Sequence, residues 1–365
     1  MRWQSEGERA PRRAAPDAAS ADRACERCGA PLETLHAGLR DRHFDTEAPA
    51  SGFAIAACAT CDRWVLLPRP SPDALDDLYR DYYTHGHGGA APSGFERWVA
   101  RATAARSLGY ARSASAFERA TAPLAIGPLR AIGEARAMWL PARLRDAGGG
   151  RVLDVGCGDG ELLAHLRELG WSVAGVEPDA RARAVAAQRL GGAPVYASAE
   201  EAVAAGERAD AVTLSHVVEH AADPEALLAA CRRALAPEGR LVARTPNPAS
   251  AACARFGASW LHWDPPRHLR LFGERGLRAL VEAAGLRVLR SFTSAGSAHF
   301  AYAASARLER DGRLPGLDLG AVPVGVRLAS IAFWLREHAR VRRGEGVGEE
   351  VVVIATLAGG KEARA

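Results

Sequence analysis

The chain has 365 residues, enough for about two domains. Hydrophobic residues make up 48% and charged residues 25%, which excludes a mostly disordered protein. The net charge of +4 is too mild to demand a nucleic-acid partner. Nearly all basic residues are arginine, and Lys361 is the one lysine, so lysine Schiff-base chemistry is excluded in practice.

Taken in chain order, Met1 to Ala24 is polar and lacks an apolar core segment. It reads as a disordered tail (1–24), not a secretory signal. Residues 25–72 form a small loop-rich module with two CxxC pairs, Cys25/Cys28 and Cys58/Cys61. Phe53 to Ala57 and Trp64 to Leu67 read as short strands. Residues 73–147 form a helical connector, opening with a helix at Asp73 to Tyr82 and rich in Ala and Arg from residue 94. Its arginines alternate with Ala and Glu and lack an aromatic platform, so it reads as solvated helix faces and not an RNA surface. The connector is expected to cap a pocket or to mediate a homodimer contact.

After Gly148-Gly149-Gly150 the pattern changes to alternating strands and helices over residues 148–358. Strands are expected at Val152–Val155, Ser172–Val176, Pro194–Tyr196, Ala209–Leu214 and Gly239–Arg244. Helices are expected at Glu161–Leu169, Ala180–Arg189 and Pro224–Leu235. A long loop, Thr245 to Phe272, precedes a helix at Glu274–Ala284 and a strand at Leu286–Phe292. Residues 297–345 read as a helical insertion, Glu350–Leu357 as a last strand, and 359–365 as a tail. This alternation implies an α/β fold with a buried, mostly parallel sheet. No apolar run reaches the length of about 18 residues that a membrane span needs. The nearest, Leu317 to Leu335, is broken by Asp318, Pro323 and Arg327 and fits an amphipathic helix better.

The segment Asp154-Val155-Gly156-Cys157-Gly158-Asp159-Gly160 joins the first strand of this sheet to its first helix. Its glycines permit a tight turn and close approach of a ligand. Glu177, at the end of the second strand, can accept hydrogen bonds from ribose hydroxyls. Carboxylates at Asp154 and Asp159 would repel a pyrophosphate but favour a sulfonium and an amino group, so the loop suits S-adenosylmethionine better than a dinucleotide.

On these residues the sequence resembles the class I S-adenosylmethionine-dependent methyltransferases. Val152 to Gly160 is similar to the family's first motif and Val176-Glu177-Pro178-Asp179 to its acidic second motif. Ala197-Ser198-Ala199-Glu200 is similar to the adenine-lining segment, and Ala209 to His220 to the fourth strand with the turn facing the active site. The resemblance implies a Rossmann-like seven-stranded sheet whose last strand is antiparallel. It implies donor contacts at Asp154, Gly156, Cys157, Gly158, Asp159, Gly160, Glu177, Pro178, Ala199, Glu200 and Ser215. The segment Asp264-Pro265-Pro266-Arg267-His268-Leu269 resembles one found over the acceptor pocket in many bacterial small-molecule and glycan methyltransferases.

Four thiolates on two CxxC turns, Cys25, Cys28, Cys58 and Cys61, can surround one structural Zn²⁺. Seven cysteines without a signal peptide point to a reducing, cytoplasmic setting. The order of the two CxxC pairs, the Pro68–Pro72 break and Tyr82-Tyr83 resembles the N-terminal zinc module of certain methyltransferases, some acting on sugar carbon. That resemblance implies a small acceptor (sugar, glycan precursor or natural product), contacted by Tyr82, Tyr83, Trp263, Arg267 and His268. His220 is the first choice of general base and His216 the second, with a cofactor contact as the alternative role of His216, ahead of His262 and His268; Glu219 is expected to pack, or to pair with Arg267 or Arg270, and not to act as a base. Methylation of tRNA or rRNA and a donor-binding protein without turnover are the alternatives.

Overall fold

The computed structural model describes residues 24–43, 48–71, 98, 101–102, 115–121, 123, 149–315 and 322–358. The N-terminal tail, the expected helix at Asp73–Tyr82, Tyr82, Tyr83, most of the connector and the last residues lie outside them. Within the connector, a short helix α1 (Ala116–Thr121) is described.

Among the described residues the N-terminal module is an antiparallel sheet of β1 (Glu33–Leu39), β2 (Phe53–Cys58) and β3 (Arg63–Leu67). β2 and β3 lie where sequence patterning places them. β1 escapes it because nearly all its side chains are exposed, leaving no alternation to read. A fourth strand, β9 (Arg270–Phe272), completes the sheet by pairing with β3. It comes from the stretch read as a loop between Thr245 and Phe272, which also holds helix α6 (Ala251–Phe256).

The larger sheet is built from β4 (Arg151–Val155), β5 (Ser172–Val176), β6 (Val195–Tyr196), β7 (Ala209–Ser215), β8 (Leu235–Pro246), β10 (Leu286–Ser294) and β11 (Glu350–Leu357). Its order is β10-β11-β8-β7-β4-β5-β6. β11 runs antiparallel to both neighbours, while β4 to β8 pair in parallel. The central strands β4, β5 and β7 are buried along most of their length because helices cover both faces. The crossover helices are α2 (Glu161–Glu168), α3 (Ala180–Arg189), α4 (Ala199–Ala204), α5 (Pro224–Ala234) and α7 (Glu274–Ala283). Asp179, Ser198 and Asp223 cap α3, α4 and α5 by accepting from backbone N–H groups of the first turn. The insertion between β10 and β11 is α8 (Ala298–Asp311) and α9 (Val324–Arg342).

Both faces of the large sheet carry buried cores. A third core lies under the small sheet. There Phe53, Ile55 and Leu66 pack with Phe256, Trp260, Trp263 and Leu271. The N-terminal module therefore shares its hydrophobic core with the segment that follows β8.

Candidate functional site

At the carboxyl end of β4 the chain turns sharply. Gly156, Gly158 and Gly160 have φ of 76°, 55° and 79°, values that disfavour side-chain-bearing residues. A Cβ on Gly156 would also collide with Val217, so the glycine loop lies directly against the turn after β7. The N–H groups of Gly156 and Cys157 donate to the Val176 carbonyl, at 2.8 and 2.9 Å. Gly158 N–H donates to Glu177 Oε2 at 2.9 Å, and Asp179 N–H to Glu177 Oε1 at 3.0 Å. Both oxygens of Glu177 are thus oriented by backbone at the strand end.

Asp154 is buried beside this turn and accepts from Thr213 Oγ1 at 2.5 Å. Burial pushes its carboxyl up to about 7, against the opposing pull of Thr213 and Arg244. Asp159 is ion-paired with Arg189 at 2.9 Å. The resulting cradle is two inward carboxylates among bare backbone. That donor set fits a cationic sulfur nucleoside with ribose hydroxyls and opposes a pyrophosphate. The Cys157 side chain is buried against Gly175, and burial pushes its thiol upward, so the thiol serves as packing and only the backbone of Cys157 is open to a ligand. Ala199 is buried at the start of α4 while Glu200 and Pro178 are exposed. Ser215 Oγ accepts from Arg244 Nη2 at 2.6 Å.

The turn after β7 carries the titratable groups. His216 has φ 55°, and its ring is clamped between two carboxylates. Nδ1 lies 3.3 Å from Glu219 Oε1 and Nε2 3.1 Å from Glu350 Oε1. Burial opposes a charge there, but Glu219 and Glu350 outweigh it and lift His216 to about 9. Those carboxylates are in turn held down at about 2, against burial, by His216 for Glu219 and by Arg244 and His216 for Glu350. With its value near 9, His216 is mostly imidazolium at neutral pH. Glu219 pairs with His216 and accepts from Thr245 Oγ1 at 3.0 Å. The expected pairing with Arg267 or Arg270 is not the one formed.

His220 is the opposite case. Burial, reinforced by the neighbouring His268, pushes it down to about 4, with Glu219 and Asp264 opposing. Its Nδ1 faces the Arg267 carbonyl at 3.2 Å. A carbonyl only accepts, so Nδ1 carries the proton and Nε2 is the basic atom. His268 repeats the arrangement, with Nδ1 donating to the His262 carbonyl at 2.6 Å. The two rings meet edge-on at 4.6 Å. Ligand atoms of Glu219, His220 and His268 lie within 4.8 Å of one another, so this trio could also hold a cation. His262, between His216 and His268, is driven down to about 3 by burial and by His216.

Arg267 and Trp263 face inward. Arg267 has no exposed surface. It forks onto Asp41 with both contacts at 2.8 Å and onto Asp264 at 2.5 and 3.1 Å. Trp263 is packed in the core of the small sheet, and its Nε1 donates to the Gly257 carbonyl at 2.9 Å. Sequence reasoning missed Asp41, Thr213, Thr245 and Glu350 as members of this region. Each is remote in sequence from the residue it serves, and no local motif marks it.

The four N-terminal cysteines converge. Their sulfurs all lie within 4.8 Å of one another, and Cys28 and Cys58 are 3.6 Å apart. Tetrahedral Zn²⁺ with bonds of ~2.3 Å sets its sulfurs about 3.8 Å apart, so the cluster could bind zinc as expected. The Ala30 N–H and the neighbouring thiols bring Cys28 down to about 7. Next to Cys61, Asp62 Oδ2 accepts from the N–H groups of Arg275 and Gly276 at 3.0 and 3.2 Å, and its carbonyl from Gly273 at 2.9 Å. The second CxxC turn is thereby fastened to the start of α7, and β3 to β9.

Residues 130–291 match the family model described as a methyltransferase domain. The chain is 44% identical over 123 residues to a ubiquinone biosynthesis O-methyltransferase of Cereibacter sphaeroides, covering 32% of this chain and 50% of that protein. A protein of the same name from Xanthomonas oryzae is 38% identical over 150 residues, covering 38% and 62%. The chain thus spans about half the length of the curated relatives it matches. Among solved structures it is similar to a TehB-like SAM-dependent methyltransferase from Corynebacterium glutamicum, with 21% identity, 66% and 94% of the two chains covered, and a TM-score of 0.34.

Proposed function

We propose that this chain, whose residues 130–291 match a methyltransferase domain, transfers a methyl group from S-adenosylmethionine to a small-molecule acceptor. The observation that carries the reading is the glycine turn locked onto Glu177, with Asp154 buried beside it. Asp154, Gly156, Cys157, Gly158, Asp159, Gly160 and Glu177 would hold the donor, with Ala199, Glu200, Pro178 and Ser215 around them. When bound, the donor supplies an electrophilic methyl carbon whose leaving group is a neutral thioether.

His220 Nε2 takes the proton from the acceptor. A hydroxyl becomes far more acidic as its new bond to carbon forms, so a weak base that is never protonated at neutral pH suffices. His268 orients that ring from the side, and the Arg267 carbonyl fixes its tautomer. The His216 imidazolium, lying between Glu219 and Glu350, keeps this turn rigid. In this reading Tyr82, Tyr83 and His268 contact the acceptor, while Trp263 and Arg267 hold the loop that carries His268. The acceptor is a sugar, a glycan precursor or another natural product. The ubiquinone biosynthesis O-methyltransferases among the relatives support a small acceptor with a reactive hydroxyl. The four cysteines hold a structural Zn²⁺.

Titration calorimetry with S-adenosylmethionine, S-adenosylhomocysteine and NAD tests the donor site. Binding of the first two alone is expected, weakened at least about tenfold by Glu177→Ala through loss of charged hydrogen bonds worth ~1.5–3 kcal/mol. Binding of NAD alone would overturn the reading. Incubation with labelled donor and a metabolite extract then identifies the acceptor. The convergence of Glu219, His220 and His268 favours one second reading, transfer assisted by a divalent cation. Activity lost on chelation and restored by Mg²⁺ would select it over the base.

A further inference from the structure

The helix α9 is built inside out. Its inward face carries Ser330, Trp334 and Glu337, which are 5%, 8% and 1% exposed. Its outward face carries Val324, Leu328, Ile331 and Leu335, exposed by 72%, 64%, 44% and 48%. Their spacing of four, three and four residues puts all of them on one stripe of the helix. Among the described residues, four of the eight large exposed hydrophobic residues thus fall on a single face, a concentration that marks a contact surface.

The charges around the stripe narrow the partner. Arg327, Arg336, Arg342 and Arg343 are exposed along α9 or at its end. The one acid within the helix, Glu337, points inward. Glu345 ion-pairs with Arg340 and Arg343. Among the described residues, Arg327, Arg336 and Arg342 have no carboxylate partner. A two-fold contact between copies of this chain would set these arginines against themselves across the interface, which is repulsive. An anionic surface with an apolar interior satisfies both features. Aliphatic side chains enter the acyl boundary while the arginines reach the phosphates. At 19 residues the helix is about 28 Å long; no helix among the described residues is long and apolar enough to cross a membrane.

We propose that the outer face of α9 is a docking surface for anionic phospholipid, laid in the plane of the membrane interface. The surface is independent of the methyl-donor site, and its test reads neither donor binding nor transfer.

The test is flotation of the full-length chain with vesicles of phosphatidylcholine alone and of phosphatidylcholine mixed with phosphatidylglycerol. Association with the mixed vesicles only is expected, falling as salt rises. The double variant Leu328→Glu/Ile331→Glu is expected to lose at least about tenfold of the bound fraction, through lost apolar insertion and added repulsion. Because both side chains point outward, its thermal unfolding should match the parent. A triple variant Arg327→Gln/Arg336→Gln/Arg342→Gln should bind more weakly and lose its salt dependence. No association with the anionic vesicles at low salt would overturn the proposal, as would undiminished binding of the double variant. Sedimentation showing a dimer that the double variant splits, without vesicle binding, would assign the face to a second copy and equally overturn it.

Discussion

His216 and His220 stand on one turn, four residues apart, and end with opposite charge states. His216 meets a carboxylate at each nitrogen, while His220 meets a carbonyl and another imidazole. The sequence marks both as candidates but contains nothing local to separate them, because Glu350 comes from the far end of the chain. His220→Ala is expected to lower the transfer rate by about 10²–10⁴-fold and to leave donor affinity unchanged, as single-turnover kinetics and calorimetry will show. At saturating donor the parent rate should stay flat through neutral pH and fall as pH drops toward about 4, where His220 gains its proton. The His216 cluster sets a stability profile instead. Folding raises His216 from 6.5 to about 9, so its contribution is complete below pH 6.5 and is lost as pH climbs to about 9. Glu337, held up to about 8 by burial, also withdraws stability as pH rises from its ordinary 4.5 to about 8. Melting temperature should therefore decline between pH 6.5 and 9, with a shallower slope in His216→Gln.

At the scale of elements, the stretch between β8 and α7 decides the site. Read as a long loop, it holds α6, the turn with Trp260 and Trp263, and β9. Three residues of strand carry too little periodicity to be seen, and their partner β3 lies some two hundred residues earlier. The stretch is pinned from both directions. Glu219 O accepts from Leu269 N–H at 2.9 Å, and Arg267 reaches across to Asp41 just beyond β1. Arg267→Ala is expected to cost about 3–5 kcal/mol, since it leaves Asp41 and Asp264 buried without their cation. Arg267→Lys should recover only part, because an ammonium cannot fork onto both carboxylates. Chemical denaturation of the two variants measures this.

For the whole molecule, the joints between the small and large sheets include the shared core around Trp260, the Arg267 fork, and, third in this series, the Asp62 cap on α7. The cysteine cluster lies at the third. Metal analysis is expected to give about one zinc per chain. Chelation should lower the melting temperature and expose the amides of β3 and β9 to hydrogen exchange before those of β4 and β7. Equal exposure of all four strands would show that the metal supports the entire fold.

The alternation of strands and helices from β4 onward, the glycine turn, Glu177 and the paired cysteines were all legible in the amino-acid order. Each is written in local spacing, and local spacing is what periodicity and turn chemistry report. The antiparallel seat of β11 came from resemblance and was met. Only the tertiary structure decided which histidine is cationic, that Arg267 and Trp263 face the interior, that β9 belongs to the small sheet, and which side of α9 meets solvent. Those outcomes depend on charges and surfaces brought together from distant parts of the chain, and Coulomb interaction and burial follow distance in space, not position in sequence.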